Sequence, residues 1–230
     1  MNFWENFPVN RLMAEASIWS SDFTNLAGEF KRVDLYVDLY HFDVSDAHFV
    51  PGLLFFPDLI AALRPLTQKK FHVHLMVDQP LNLIDDFAQA GADLITVHSE
   101  NSPLAASAIK KILDLKLHAG LAVSLESQPE CILPYLEEID LILMMGTPIG
   151  VKGAGLARLA TTRIRKVSEL LHENSFNGKI KIEADGGIRQ KTVPELRIAG
   201  ADLIVMGSLL FQSIDLEQTF YWLHNLNKNL

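Results

Sequence analysis

Histidine and aspartate side chains stand close together at the end of one apolar segment, where they could hold a metal ion or transfer protons. His41 and Asp43 lie near the end of an apolar run over residues 33–44, which predicts a buried strand. Alternate side chains of a strand point to the same face, so the two residues are neighbours on one side. A histidine beside an aspartate is typical of a metal-ligand pair or an acid/base pair. Taken alone, the pair fits a core histidine next to a capping aspartate better.

Two further strand ends supply the same residue types. His74 lies near the end of the apolar run 71–76, and Asp185 closes the run 179–185. If these runs are parallel strands of one barrel, their carboxyl ends meet at one mouth and the side chains converge. Two imidazoles and two carboxylates suit Zn²⁺, Fe²⁺, Mn²⁺ or Co²⁺ and are too rich in nitrogen for Mg²⁺ or Ca²⁺. The predicted ligands of one divalent metal ion are therefore His41, Asp43, His74 and Asp185.

The chain that positions these residues alternates between apolar, strand-like segments and amphipathic, helix-like segments. The strand-like segments span residues 12–18, 33–44, 71–76, 94–98, 118–123, 141–145, 179–185 and 203–206. The helix-like segments span residues 21–31, 57–66, 80–90, 103–115, 128–138, 156–174, 190–199 and 215–226. Such strict alternation predicts an α/β fold, a parallel sheet closed into a (β/α)8 TIM barrel. No linker is visible, so we expect one domain over residues 1–230, with residues 1–11 as a leader that caps the barrel bottom or packs on a partner subunit.

Glycine-rich loops follow the last three predicted strands. Gly186 and Gly187 follow the seventh strand, and Gly207 with Ser208 follows the eighth. Backbone amides in such loops bind phosphate, and in TIM barrels the loops after strands seven and eight are the usual phosphate site. The loop after strand six, residues 146–155, is long enough to act as a lid. Turn formation alone would explain one glycine pair, but it explains three adjacent loops poorly.

Composition and charge indicate which kinds of binding partner and which compartment to expect for this chain. The net charge is −8 and no Lys/Arg block is present, which argues against nucleic acid. No apolar run reaches the length of a membrane span, and the first residues lack the pattern of a signal peptide. Cys131 is the only cysteine, so no internal disulfide can form. These features predict a cytoplasmic protein that binds neither nucleic acid nor membrane.

These segments resemble the ribulose-phosphate 3-epimerase family from about Ala16 to about Phe211. His-Phe-Asp-Val-Ser-Asp-Ala-His-Phe-Val-Pro, residues 41–51, is similar to that family's longest signature. His-Leu-Met at 74–76, Asp-Gly-Gly at 185–187 and Gly-Ser at 207–208 resemble its later motifs. The resemblance implies a metal-dependent epimerase that inverts C3 of a ketose phosphate, such as D-ribulose 5-phosphate to D-xylulose 5-phosphate, through an enediolate.

The resemblance also implies residue roles. The expected acid/base pair is Asp43 and Asp185, which double as metal ligands with His41 and His74. Expected to contact the sugar are Ser17, Met76, Met145, Gly150 and Gly153. Expected to bind phosphate are Gly186, Gly187, Gly207 and Ser208. The expected partners are a sugar phosphate and further copies of the chain in a homo-oligomer.

Several positions depart from the family pattern. Ser45 replaces a methionine, Ala47 a glycine and His72 an aspartate, and the loop 148–154 lacks the usual Asn-Pro-Gly-Phe-Gly-Gly-Gln. That loop covers the sugar, so the alternatives are an epimerase of another sugar phosphate such as allulose 6-phosphate, a metal-dependent lyase or decarboxylase, or a non-catalytic barrel. A Schiff-base aldolase is disfavoured because no lysine ends a predicted strand. We expect His72 to be buried below His74.

Overall fold

The sheet is a closed barrel. A computed structural model of the chain describes residues 3–226. Its strands are β1 (Met13–Ser17), β2 (Leu39–Asp46), β3 (Leu53–Leu54), β4 (Lys70–Met76), β5 (Leu94–His98), β6 (His118–Val123), β7 (Leu141–Met145), β8 (Lys181–Asp185) and β9 (Leu203–Met206). Because β1 pairs in parallel with both β2 and β9, the sheet closes on itself. The predicted (β/α)8 barrel is confirmed, and β3 is a short antiparallel addition to β2.

Helices cover the outside of this barrel, as parallel strands require. Within residues 3–226 the α-helices are α1 (Leu26–Val33), α2 (Pro57–Leu63), α3 (Ile84–Gln89), α4 (Leu104–Asp114), α5 (Ala160–Glu173), α6 (Val193–Ala199), α7 (Ser208–Phe211) and α8 (Leu216–His224). None of the helices in this part of the chain is long and apolar enough to cross a membrane. The short helix α7, which follows β9, was not predicted because four residues carry no readable helical period.

The predicted second strand, residues 33–44, begins too early. Helix α1 runs to Val33, and the strand starts only at Leu39. Val33 ends the helix and Val37 lies in the connection to the strand, and both are fully or nearly fully buried in the core. An apolar run of this length reads the same in a buried helix end and in a buried strand, so its pattern could not place the boundary.

The predicted helix 128–138 is a 3-10 helix over Pro129–Tyr135. Pro134 lies inside it and has no backbone N–H, so an α-helical hydrogen bond cannot form at that position. The segment still buries Ile132 against the barrel, which is why its spacing looks amphipathic.

The bottom of the barrel is sealed by apolar side chains. The innermost layer there consists of Met13, Leu39, Leu94, Leu141 and Leu203, all at most 1% exposed. Phe3 and Trp4 pack beneath this layer, and Trp4 Nε1 donates a hydrogen bond to the carbonyl of Asp140 at 2.8 Å. The described part of the predicted leader therefore lies against the barrel bottom, while its residues 1 and 2 lie outside the described residues.

Above that apolar layer the barrel interior is polar. Strand register places Ser17 beside His41, His41 beside His72, and Asp43 beside His74. Asp185 on β8 is level with Met145 on β7. The side chains of alternate residues point inward, so two stacked levels of histidines and carboxylates fill the centre of the barrel below its carboxyl end.

Candidate active site

Four side chains converge at the upper polar level. His41, Asp43, His74 and Asp185 each offer one ligand atom, and these atoms lie within 4.8 Å of one another. The Oδ1 atom of Asp43 is 3.2 Å from Nε2 of His41 and 3.5 Å from Nδ1 of His74. Nδ1 of His74 is buried and makes no hydrogen bond. This donor set fits a divalent ion with metal–ligand distances of about 2.0–2.2 Å, because a small inward shift would bring every atom into range.

The two carboxyl groups at this level have opposite electrostatic environments. Burial raises the pKa of Asp185 to about 7, and the negative charge of Asp43 adds to the effect. Burial also acts to raise the pKa of Asp43, but the charge on His41 and contacts with His41 and His74 outweigh it. The pKa of Asp43 therefore lies well below its ordinary value. Without a metal ion, one carboxyl group holds a proton near neutral pH and the other stays charged, as in an acid/base pair.

Asp43 has a hydroxyl partner from the first strand. Ser17 Oγ donates to Asp43 Oδ2 at 2.9 Å, and both side chains are buried. The bond fixes the orientation of the carboxylate and leaves Oδ1 facing the two histidines. Ser17 was predicted to contact the sugar; in the structure it also lines the cavity described below.

Each of the two histidines has a partner behind its ring: a carboxylate for His41, and for His74 a further histidine that itself contacts a carboxylate. His41 Nδ1 lies 3.1 Å from Glu15 Oε2. His74 Nε2 lies 2.8 Å from His98 Nε2, and His98 Nδ1 lies 3.0 Å from Glu100 Oε2. Such contacts hold the tautomer and ring orientation of a metal-binding histidine and increase its basicity. No role was predicted for Glu15 or Glu100 from the sequence, although Glu15 stands two residues before Ser17 on the same strand face.

A cavity of about 420 Å³ opens above the four side chains, at the carboxyl ends of the strands. Asp43 and Asp185 form part of its floor. Every residue predicted to contact the sugar or the phosphate lines it: Ser17, Met76, Met145, Gly150, Gly153, Gly186, Gly187, Gly207 and Ser208. His41 and His74 do not line the cavity, since they are fully buried beneath it. The structure thus brings the predicted residues together, while their roles in binding stay predictions.

The glycine loops on one side of the cavity depend on the absence of side chains. Gly186 and Gly187 have φ values of +91° and +70°, in the region that favours glycine. At Gly207 a Cβ atom would lie 2.5 Å from Ser20 Oγ. Turn geometry therefore accounts for part of this glycine pattern. Backbone amides in tight turns of this kind can bind phosphate, so the phosphate role of these loops stays a prediction.

The loop after β7 is tied across the cavity mouth. Lys152 Nζ donates to the carbonyl oxygen of Trp19 at 2.6 Å and lies 5.6 Å from the centre of the Trp19 ring. Trp19, Lys152 and Arg189 all line the cavity. No role was predicted for these three residues from the sequence. Lys152 and Arg189 place two cationic side chains at the cavity of this acidic chain.

Comparisons with known proteins show which family the chain is similar to. A model of the Ribulose-phosphate 3 epimerase family matches residues 13–211. The chain is 34% identical over 200 residues to a ribulose-phosphate 3-epimerase of Bacillus subtilis (strain 168), which covers 86% of this chain and 92% of that protein. It is 37% identical over 206 residues to a ribulose-phosphate 3-epimerase of Synechocystis sp., which covers 88% of each.

Solved structures show the fold alone. The crystal structure of a 3-keto-L-gulonate-6-phosphate decarboxylase from Vibrio cholerae superposes with a TM-score of 0.68 at 16% identity, covering 93% of this chain and 99% of that one. The sequence relatives are informative about activity as well, because they support an isomerase that acts on carbohydrates. The alternative of a non-catalytic barrel is therefore set aside. From the matched span and these identities, the chain belongs to the ribulose-phosphate 3-epimerase family.

Proposed function

We propose that the protein inverts C3 of a ketose phosphate by two-base proton transfer, with a divalent metal ion (Zn²⁺, Fe²⁺, Mn²⁺ or Co²⁺) as cofactor and D-ribulose 5-phosphate and D-xylulose 5-phosphate as the reference pair. One observation supports this most directly. Asp43 on β2 and Asp185 on β8 both reach the floor of one cavity, and their pKa values are displaced in opposite directions. Family membership supports an epimerase of sugar phosphates at the coarser level.

The chemistry accounts for the need for two carboxyl groups. The proton on C3 lies next to the C2 ketone, so a carboxylate that removes it leaves the electron pair delocalised onto the C2 oxygen as an enediolate. Inversion then requires a proton to return to C3 from the opposite face. A protonated carboxyl group there donates it, and the two groups exchange roles in the reverse reaction. Asp43 and Asp185 approach from different strands, β2 and β8, and serve as this pair.

The remaining residues bind the metal ion and the phosphate group of the substrate. His41, Asp43, His74 and Asp185 would hold the metal ion, which supplies Lewis-acid stabilisation of negative charge on the substrate oxygens. Gly186, Gly187, Gly207 and Ser208 present the phosphate site, and orientation of C3 between the two carboxyl groups follows from that anchor.

The identity of the sugar depends on the loop over residues 148–155. Val151, Lys152 and Trp19 line the cavity in this chain, and the family's usual loop sequence is absent. We propose that a related ketose phosphate such as allulose 6-phosphate competes with, or replaces, ribulose 5-phosphate. Replacement of residues 148–154 by Asn-Pro-Gly-Phe-Gly-Gly-Gln should shift the ratio of kcat/KM between pentulose and hexulose phosphates. An unchanged ratio in an active enzyme would contradict this assignment.

The two-base assignment is tested with Asp185→Asn. Loss of one acid/base group costs typically about 10²–10⁴-fold in rate, so interconversion of the epimers should fall by at least that much. Exchange of the C3 proton with solvent deuterium should persist for one epimer, through Asp43, and Asp43→Asn should give the mirror result. Metal content is measured in each variant, because both residues are also proposed ligands. The exposed Asp58, changed to Asn, serves as the control.

A metal-replete Asp185→Asn enzyme that interconverts the epimers at the wild-type rate would assign the second acid/base role to another group. Loss of the metal ion in that variant would instead be checked by repeating the exchange measurement at saturating metal. Exchange lost for both epimers in a metal-replete variant would contradict the independence of the two bases.

We further propose that residues 1–230 form one domain, that the protein works in the cytoplasm and that it forms homo-oligomers. The single cysteine, Cys131, supports a reducing compartment. Exposed apolar side chains such as Ile214 and Tyr221 support contact between copies. Light scattering on the purified chain measures its mass, and a monomer at micromolar concentration would contradict the assembly.

A further inference from the structure

A second group of metal-ligand side chains lies directly below the site just described. It consists of Glu15, His41, His72 and Glu183, each 0% exposed. Their ligand atoms also lie within 4.8 Å of one another. The two groups share only His41, whose ring lies between them: Nε2 faces Asp43 above, and Nδ1 faces Glu15 below. We name the lower group the inner cluster.

The ligand atoms of the inner cluster are close enough together to surround one ion. Glu15 Oε2 lies 3.1 Å from His41 Nδ1 and 2.8 Å from His72 Nδ1. His72 Nδ1 lies 3.5 Å from Glu183 Oε2. For metal–ligand distances of about 2.0–2.2 Å, the ligand atoms of a tetrahedron lie about 3.3–3.6 Å apart. Small shifts would therefore suffice to surround an ion.

Three of the four carboxylate oxygens of the inner cluster lack donors among the described residues. Glu15 Oε1 and both carboxylate oxygens of Glu183 are buried and accept no hydrogen bond from the described residues. Buried polar atoms without partners are rare and costly in native proteins. A shared proton is one remedy: burial and the negative charge of Glu15 raise the pKa of Glu183 well above its ordinary value, so Glu183 can donate to Glu15. A divalent cation is the other remedy, and it would engage both carboxylates at once.

His72 is held in an orientation that suits an ion. Its Nε2 lies 2.7 Å from the hydroxyl of Thr96. In the metal-free protein Nδ1 donates a hydrogen bond to Glu15 Oε2 at 2.8 Å. With an ion bound, the Thr96 hydroxyl would accept a hydrogen bond from Nε2 instead, which would direct the lone pair of Nδ1 at the ion. Gly120 lies next to Thr96, where a Cβ atom would overlap the hydroxyl. The glycine at position 120 therefore leaves room for the Thr96 hydroxyl in its contact with His72.

We propose that the inner cluster is a second divalent-metal site, of Glu₂His₂ type, and that His41 bridges it to the upper site as an imidazolate. On binding, Nδ1 of His41 loses the proton that it otherwise donates to Glu15, and Glu183 loses any proton it carries; both protons pass to solvent. His72 keeps one proton, which moves from Nδ1 to Nε2, where Thr96 accepts its hydrogen bond. Zn²⁺ and Co²⁺ are the ions that fit a closed tetrahedral set of two nitrogen and two oxygen ligands.

The site would be loaded from above. The apolar layer that includes Leu39, Leu94 and Leu141 closes the barrel below, with Phe3 and Trp4 beneath it. Access is therefore from the cavity, past His41 and Asp43, or during folding. An ion in the inner cluster would fix the ring of His41 from one side and add positive charge beneath Asp43 and Asp185.

Metal counting and anomalous diffraction on the full chain test this proposal. The protein is stripped with a chelator, loaded with excess Co²⁺ or Zn²⁺, desalted, and assayed for metal per chain. Crystals of the loaded protein are measured at the absorption edge of the metal. We expect two ions per chain, one on each side of the His41 ring. Glu183→Gln and Glu15→Gln should each reduce the count to one, whereas Glu217→Gln, an exposed control on α8, should keep two.

The possible results separate this site from the proposed function. Two anomalous peaks support both metal sites. One peak, held by Asp43 and Asp185, overturns the inner site and leaves the proposed function intact. One peak, held by Glu15 and Glu183, supports the inner site and overturns the metal assignment of the upper one. No peak and no bound metal overturn both. Should the glutamine variants fail to fold, the wild-type peaks decide alone.

Discussion

Replacement of Asp185 by asparagine should make the metal-free protein more stable than the wild type, by a margin that grows with pH. The carboxyl group of Asp185 has its pKa raised from 3.8 to about 7, chiefly by burial and then by the charge of Asp43. The folded protein therefore keeps a proton that the unfolded chain loses. Asparagine resembles the protonated carboxyl group in shape and has no proton to lose, so it avoids the cost of ionisation.

The magnitude follows from proton linkage. A raised folded-state pKa in a carboxyl group contributes stability that is complete below the unfolded pKa and is lost as pH rises through the folded pKa. Between these two limits the loss is about 1.4 kcal/mol per pH unit. Between pH 5 and pH 8 the wild type loses this stability only until the pH passes the folded-state pKa of about 7. The margin in favour of the variant should therefore grow by about 3 kcal/mol over this range.

Urea denaturation of both chelator-treated proteins at pH 5, 6, 7 and 8 measures this margin. Other groups titrate in the same range: burial lowers the pKa of His74 to about 3, which makes stability rise with pH up to about 6.5. Their contributions are common to both proteins and largely cancel in the difference. A margin that stays constant from pH 5 to pH 8 would refute the assigned pKa. In saturating Zn²⁺ the wild type should be more stable than the variant, because only the wild type retains all four upper ligands.

Three further substitutions test other parts of the structure. Trp4→Ala should lower the free energy of unfolding by about 3–5 kcal/mol, because Trp4 is 3% exposed beneath the barrel; a urea curve shifted by under about 1 kcal/mol would contradict that role. Lys152→Met removes the hydrogen bond to Trp19 and should change kcat/KM unequally for pentulose and hexulose phosphates; equal changes would mean that the contact does not select the sugar. Gly207→Ala places a Cβ atom 2.5 Å from Ser20 Oγ and should raise KM more than it lowers kcat, and initial rates that show the reverse would count against a phosphate site there.

The barrel itself could be predicted from the sequence. Strands that are buried on both faces read as short apolar runs, and the helices between them keep their own period, so the alternation survives without tertiary information. The upper site could also be predicted, because His41 and Asp43 stand two residues apart on one strand and the other two residues lie near the ends of two further strands of the same barrel. The carboxyl ends of parallel strands must meet at one edge, so local spacing was enough.

Boundaries were less predictable where burial did not distinguish helix from strand. Val33 and Val37 are as apolar as the strand that follows, but Val33 ends α1 and Val37 lies in the connection between α1 and β2. Where β2 begins is set by pairing with distant strands, which composition and period do not encode. The segment 129–135 has amphipathic spacing, but a proline within it, which the sequence does show, leaves only a 3-10 helix.

The support behind the upper site was decided by the tertiary structure. Glu15 contacts His41 across 26 positions of the chain and His72 across 57. Read along its own strand, Glu15 is one charged residue among apolar ones, with nothing to indicate whether its partner is solvent, a cation or a histidine. Closure of the barrel and the register of β1, β2 and β4 set which side chains share a level. The sequence alone therefore determined the barrel and the residues at its mouth, whereas register determined the inner cluster, because pairing between strands depends on contacts far apart in the chain.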